Sequence, residues 1–396
     1  MVVLGVLVMN TGTPDEPTPE AIRPYLKQFL SDRNLIDMPP ALWQPILNMF
    51  ILPNRPKRTA PHYQAIWTPE GSPFLLESRA LGHALENQLG RLLGASDACS
   101  TSQEAAANGC VKVALGMRYG NPSVESAMHE LRNAGATTIV ALPLYPQMTR
   151  SCAGTCFQEF DRAFKIVYGV DPDGCGAADR GEDAVLGVST NRKSAHGHNG
   201  GMEVGGPERD ESRRAPFGEF GSVPRVVRIG HYWDAPGYLP ALARSIREAW
   251  DYVPGSKLVV SFHSIPMSHA QSGDPYPEQT LATARALADE LGIPRGDVRL
   301  TYQSRFDGRK WIGPMLEPTL SRLAKEQVKN VAVVCPGFSV DCLETLHEVG
   351  DLAARHFAEE CGRSGNTGAR FSYIPALGAS PALVEVLAHL VAARAQ

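Results

Sequence analysis

Short apolar runs alternate with stretches of helical period along most of this chain. The runs at 2–9, 111–117, 138–144, 225–229, 257–262, 298–303 and 330–335 read as strands, and the patterns at 123–134, 239–250, 277–291 and 316–326 read as helices. Strands without polar alternation, interleaved with helices, predict parallel sheets covered on both faces, an α/β fold. Residues 113–160 run strand, helix, strand, turn, helix, and 298–350 repeat that order. Pro143 and Pro336 align, as do Val140 and Val333 (336 − 143 and 333 − 140 are both 193). The echo fits either a duplication or a recurring βαβ pattern. It predicts one lobe at 1–165 and a similar one at 224–375, with ligands held beyond the carboxyl ends of the strands. Residues 380–396 read as a closing helix with Pro381 in its first turn.

Two segments break the pattern. Residues 169–223 hold twelve of the 37 glycines, charges of both signs and no sustained apolar period, which predicts a mobile surface insertion between the lobes. His196 and His198 lie in it, readable as a metal-binding pair or as a solvated loop. Residues 35–52 concentrate apolar side chains, among them Leu42, Ile46, Met49 and Phe50, around Pro39, Pro40 and Pro45. This stretch reads either as a helix buried in the core or as an apolar lip over a cleft, able to admit a flat, greasy ligand or touch a bilayer surface.

Composition narrows the class. With 396 residues, 43% hydrophobic, 20% charged and a formal net charge of −4, the chain resembles a two-domain soluble enzyme and lacks the basic footprint of a nucleic-acid binder. No apolar run is long enough to span a bilayer. Met1 leads straight into a strand without a signal-peptide pattern, so a cytoplasmic location is expected. The eight cysteines contain no C-x-x-C pair and read as buried or free thiols.

Candidate chemistry lies at two strand ends. VAVVCPGF (331–338) stops at Pro336-Gly337 and gives way to a helical pattern carrying Glu344, Glu348 and Asp351 at i, i+4 and i+7. On an α-helix those three carboxylates share one face. Stacked like charges repel, a cost best explained if the row handles cations or protons. LVVSFHSIP (258–266) ends in His263, an imidazole titrating near neutrality and hence a candidate general base. Mixed nitrogen and oxygen donors also suit a hard or borderline divalent ion. From the residues alone, a lone histidine at a strand end is more often structural than catalytic.

Eight motifs decide more. NTGTPDEPTPEAIRPYLKQFLSD (10–32), YQAIWTPEGSP (63–73), MRYGNP (117–122), LPLYPQ (142–147), SFHSIP (261–266), GDPYPEQ (273–279), TYQSRFDGRKWIGP (301–314) and CPGFSVDCLETLHE (335–348) occur in the order seen in ferrochelatases. The chain resembles that family nearly throughout, except at 169–223 and the extreme C-terminus. The resemblance implies a type II chelatase fold, with two Rossmann-like lobes, parallel four-stranded sheets facing a central cleft, and a C-terminal helix packed on the first lobe. It implies insertion of Fe(II) into a porphyrin with release of two protons, giving haem. Porphyrin and ferrous iron are then substrates, and no organic cofactor is expected.

Carried over by motif, His263 matches the family's essential histidine, which accepts a pyrrole proton, binds iron, or does both. Glu344 matches the carboxylate across the cleft, as proton acceptor and metal contact. Glu348 and Asp351 extend a proton or metal path. Arg118, Tyr119 and Trp311 match porphyrin-pocket residues, and Arg58 in the basic RPKR stretch is a looser choice for a propionate contact. Thr11 stands where some members carry a tyrosine near the metal, those resembling the coproporphyrin III branch. Its presence favours protoporphyrin IX. No Cys follows Cys361, so no [2Fe–2S] cluster is expected, and Cys342 replaces a histidine frequent in the family. Rival readings are a cobalt or nickel chelatase of another tetrapyrrole and a porphyrin or haem carrier without turnover. The lip allows peripheral membrane contact. Oligomeric state is left open.

Overall fold

The computed structural model describes residues 3–94, 110–172, 223–305 and 307–396. Positions 173–222, with His196 and His198, lie outside the described residues, as do Cys99 and Cys175. Eight parallel strands form two sheets. The first contains β1 (Val3–Asn10), β2 (Cys110–Met117), β3 (Thr138–Pro143) and β4 (Arg225–Arg228) in the order β2-β1-β3-β4. The second contains β5 (Lys257–His263), β6 (Val298–Gln303), β7 (Asn330–Val334) and β8 (Arg370–Ile374) in the order β6-β5-β7-β8. The topology is therefore the same twice. Val6 pairs with Val140 in one sheet and Val259 with Val333 in the other, so the constant offset seen in the sequence marks equivalent strands.

Alternation within each strand explains how two sheets share one protein. Leu4, Val6 and Val8 of β1 point into a core that also holds Leu258, Val260 and Phe262 of β5 and Ala332 and Val334 of β7. The intervening residues face outward layers instead: Leu7 and Met9 pack with the helices Val124–Asn133 and Thr155–Tyr168. Val259, Val331 and Val333 pack with Leu316–Lys325 and Ala354–Ser364. Each fully buried Val or Leu contributes roughly 1.5–3 kcal/mol, so the halves are held by one shared interior. The helix Pro381–Ala395 lies along Pro73–Leu93, and Leu383, Leu387 and Val391 enter that same interior.

Three features differ from the sequence pattern. β8 was not expected: RFSYI is partly exposed at four of five positions, as an edge strand with no continuous apolar run. Glu344–Ala353 is a π-helix rather than an α-helix. The 35–52 stretch divides between its two readings. It folds as Pro40–Ile46 and a π-turn Leu47–Ile51, burying Leu47 and Leu52 while Leu42 (63%), Met49 (67%) and Phe50 (67%) stay exposed. Among the described residues no helix is long and apolar enough to cross a membrane.

Candidate active site

The carboxyl ends of β1 and β5 and the π-helix after β7 surround a cavity of about 510 Å³. From β1 come Asn10, Thr11, Gly12 and Thr13. Gly12 has φ +108°, and a Cβ there would stand 1.8 Å from the Tyr119 carbonyl oxygen, so the turn admits only glycine. Thr11 Oγ1 is hydrogen-bonded to the Tyr145 hydroxyl, and both residues line the cavity.

His263, half-buried at the end of β5, also lines it. Its Nδ1 lies 2.6 Å from the Ser264 carbonyl oxygen. A carbonyl only accepts, so this bond assigns the ring proton to Nδ1 and leaves the Nε2 lone pair available. His263 sits in register with Gln303 of β6. Gln303 accepts from Ser261 Oγ at 2.7 Å and donates to the Glu344 carbonyl at 2.9 Å. One buried amide thus links the histidine's strand to the first turn of the π-helix.

Glu344 and Glu348 both line the cavity. Burial pushes the Glu348 carboxyl up to about 7, with the Glu344 charge adding to the effect and a bond from Ser304 Oγ opposing it. Ser304 holds φ +65°, a costly conformation for a residue with a side chain, and its hydroxyl is the group that reaches Glu348. Burial also raises the Cys342 thiol well above its ordinary value, again with help from Glu344.

Asp351 does not join this row. It is absent from the cavity wall, accepts Arg355 Nε at 2.7 Å, and stands 3.5 Å from His347 Nδ1. The Arg355 hydrogen bond holds its carboxyl below the ordinary value. The helix type is the cause: bonds from i to i+5 widen the turn beyond 3.6 residues, so i and i+7 no longer align as in an α-helix.

Among the expected pocket residues, Trp311 lines the cavity and its Nε1 donates to Asp307 Oδ1 at 3.0 Å. Arg118 and Tyr119 do not line it. Arg118 pairs with Asp32 at 2.7 Å and lies 4.6 Å over the Tyr119 ring, while the Tyr119 hydroxyl donates to Asp32 Oδ2 at 2.7 Å. Burial would raise Asp32, but hydrogen bonds from Thr155, the Asn34 amide and Tyr119, with the Arg118 charge, outweigh it and hold the carboxyl low. These residues brace the first lobe behind the cavity wall.

Arg58 is exposed and outside the lining, whereas Arg55 lines the cavity. In the helix Arg55–Ile66, positions 55, 59, 62, 63 and 66 form the face that meets the cavity. Arg55 has no hydrogen bond or ion pair among the described residues, and burial lowers its pKa against the opposing pull of Asp307. Helical period would have separated Arg55 from Arg58, and also found His62 and Tyr63. Nothing in the local pattern points to His269, a cavity residue that reaches Asp37 at 3.2 Å. Among the described residues no three His, Cys, Asp or Glu side chains cluster as a preformed metal site.

Comparison with known proteins adds an independent finding. The family model described as Ferrochelatase matches residues 3–170 and 211–395. A ferrochelatase of Thioalkalivibrio sulfidiphilus is 37% identical over 390 residues, covering 98% of this chain and 86% of the relative. A ferrochelatase of Actinobacillus pleuropneumoniae is 37% identical over 391 residues, covering 99% of this chain and 98% of its own length. Among solved structures, SirB from Bacillus subtilis with Fe3+ overlaps at a TM-score of 0.47 and 11% identity, covering 100% of this chain and 96% of that one.

Proposed function

The chain belongs to the ferrochelatase family, a porphyrin metal chelatase of haem biosynthesis, and from that premise we propose that it inserts Fe(II) into protoporphyrin IX through His263, Glu344 and Glu348. The observation that carries the reading is convergence: the free Nε2 of His263 and two carboxylates of the π-helix border one cavity. Thr11, in place of a tyrosine, favours protoporphyrin IX over coproporphyrin III.

Two pyrrole N–H protons must leave as the metal enters. His263 Nε2 takes a proton from the macrocycle centre, and the Nδ1–H bond to Ser264 keeps that nitrogen basic and aimed. Glu344 takes the second proton on the other side of the entering metal. Glu348, with a carboxyl near 7, passes the proton onward at neutral pH. The protein needs few metal ligands of its own, because the macrocycle's nitrogens complete the coordination of an ion that arrives and stays with the product. Trp311 and the tyrosine-rich wall press the macrocycle out of plane, which exposes a nitrogen lone pair to the metal. Arg55, an unpaired cation in a partly apolar wall, takes a propionate in place of Arg58. No iron–sulfur cluster takes part in this scheme.

The exposed face of Leu42, Ile46, Met49 and Phe50, close in sequence to Lys57 and Arg58, supports peripheral attachment to a bilayer surface. Co-sedimentation with anionic vesicles, lost in Phe50→Glu, tests that attachment. The main reading is tested by anaerobic Fe(II) insertion, followed through the porphyrin absorption bands, with protoporphyrin IX and coproporphyrin III in parallel. Faster turnover of coproporphyrin III would reverse the substrate assignment; porphyrin binding without metal-dependent turnover would replace the enzyme with a carrier.

A further inference from the structure

Arg309 joins two chain segments beside the cavity. Its Nε donates to Asp307 Oδ2 at 2.8 Å, its Nη1 to Asp37 Oδ2 at 3.2 Å, and its Nη2 to the Leu35 carbonyl at 3.1 Å. Asp37 also meets His269 Nε2 at 3.2 Å from the second half of the chain. Asp307 uses its other oxygen to accept Trp311 Nε1 at 3.0 Å, and the guanidinium carbon of Arg309 stands 5.7 Å from the centre of the Trp311 ring. Leu35 and Trp311 both line the cavity, but Arg309 does not.

A planar fork with donors in several directions can serve three acceptors at once, which a lysine ammonium on a flexible stem does poorly. The Trp311 backbone is bridged to Pro266, which fixes the Cα but not the indole rotamer. The indole N–H is fixed by Asp307, Asp307 is fixed by Arg309, and Arg309 is fixed to the Leu35–Asp37 segment. We propose that Arg309 is a positioning residue, which orients the Trp311 indole through Asp307 and ties that wall to the first half of the chain. The inference rests on Trp311 being the wall that bends the macrocycle. It follows that Arg309 governs the degree of bending, an effect felt in turnover more than in binding.

A double-mutant cycle in the full-length enzyme tests this, using Arg309→Gln, Trp311→Leu and the pair, with kcat and KM for protoporphyrin IX and the out-of-plane resonance Raman lines of bound porphyrin. Each single change should lower kcat by about tenfold, leave KM within about twofold and weaken those lines, and the pair should be no worse than either single change. Arg309→Lys should resemble Arg309→Gln. Multiplying losses in the pair, a KM-only effect, full rescue by lysine, or an inert Arg309→Gln would each overturn the proposal. An inert Trp311→Leu would remove the wall itself, and with it any positioning role, whatever Arg309→Gln does.

Discussion

The two sheets repeat one topology but end in different chemistry. At the carboxyl end of β1, Asn10, Thr11 and Tyr145 are neutral and engaged: Thr11 meets Tyr145, and Asn10 Oδ1 accepts the Thr11 amide at 3.0 Å. The equivalent end of β5 presents His263 with a free ring nitrogen, and the helix after β7 presents Glu344 and Glu348. The first strand end supplies neutral, hydrogen-bonded groups to the wall. The other presents ionisable groups, among them Glu348, whose carboxyl burial pushes up to about 7. Two sheets of one topology therefore present different side chains at matching strand ends.

The largest expected effect tests that difference directly. His263→Ala should lower the rate of Fe(II) insertion by at least about a thousandfold with an unchanged circular dichroism spectrum, whereas Thr11→Ala, at the matching strand end, should stay within about tenfold. Equal losses would erase the distinction between the halves.

Glu344→Gln should cost about a hundredfold in kcat, and Glu348→Gln about tenfold with loss of the rise in activity as pH climbs through 7. Glu348 also makes a prediction for stability. Its folded carboxyl lies near 7 against an ordinary 4.5, so the folded state holds the proton more tightly. Stability is then highest below about 4.5 as far as this group is concerned, falls as pH rises to about 7, and levels off above. Glu348→Gln should remove that fall and stabilise the protein above pH 7 by on the order of 2–3 kcal/mol in urea titrations.

On the substrate-shaping side, Arg55→Ala should raise KM for protoporphyrin IX by about tenfold and Arg58→Ala by less than twofold, the difference between a cavity cation and a solvated one. The smallest effect on activity is expected behind the wall. Tyr119→Phe should leave kcat within about twofold while lowering stability by about 1–2 kcal/mol, because Asp32 loses a buried donor.

Much of this arrangement was legible before any coordinates. Apolar runs located seven of the eight strands, since a strand covered on both faces has no other way to read. β8 escaped because one edge of the sheet carries mixed side chains. The same logic explains the site. His263 and Glu344 follow strands ended by turn residues, so pattern and motif placed them together, and the structure brings both to one cavity. Asp351 was misplaced because spacing alone does not announce a π-helix. Arg118 and Tyr119 were misplaced because a motif identifies residues that matter without saying whether they face the ligand or hold the wall. Arg58 lies outside the lining, whereas Arg55, three residues before it on the same helix, is part of it.

The interior shared by both sheets limits how far the two halves can part. Val6 and Val8 of one sheet and Val260 and Phe262 of the other belong to a single packed mass, closed by Leu387 and Val391. Swinging the halves apart like a clamshell would tear that mass open, and close-packed interiors do not stretch. The scaffold beneath the cavity is thus the stiff part of the molecule, and the partly exposed stretch after Leu35 lies outside it.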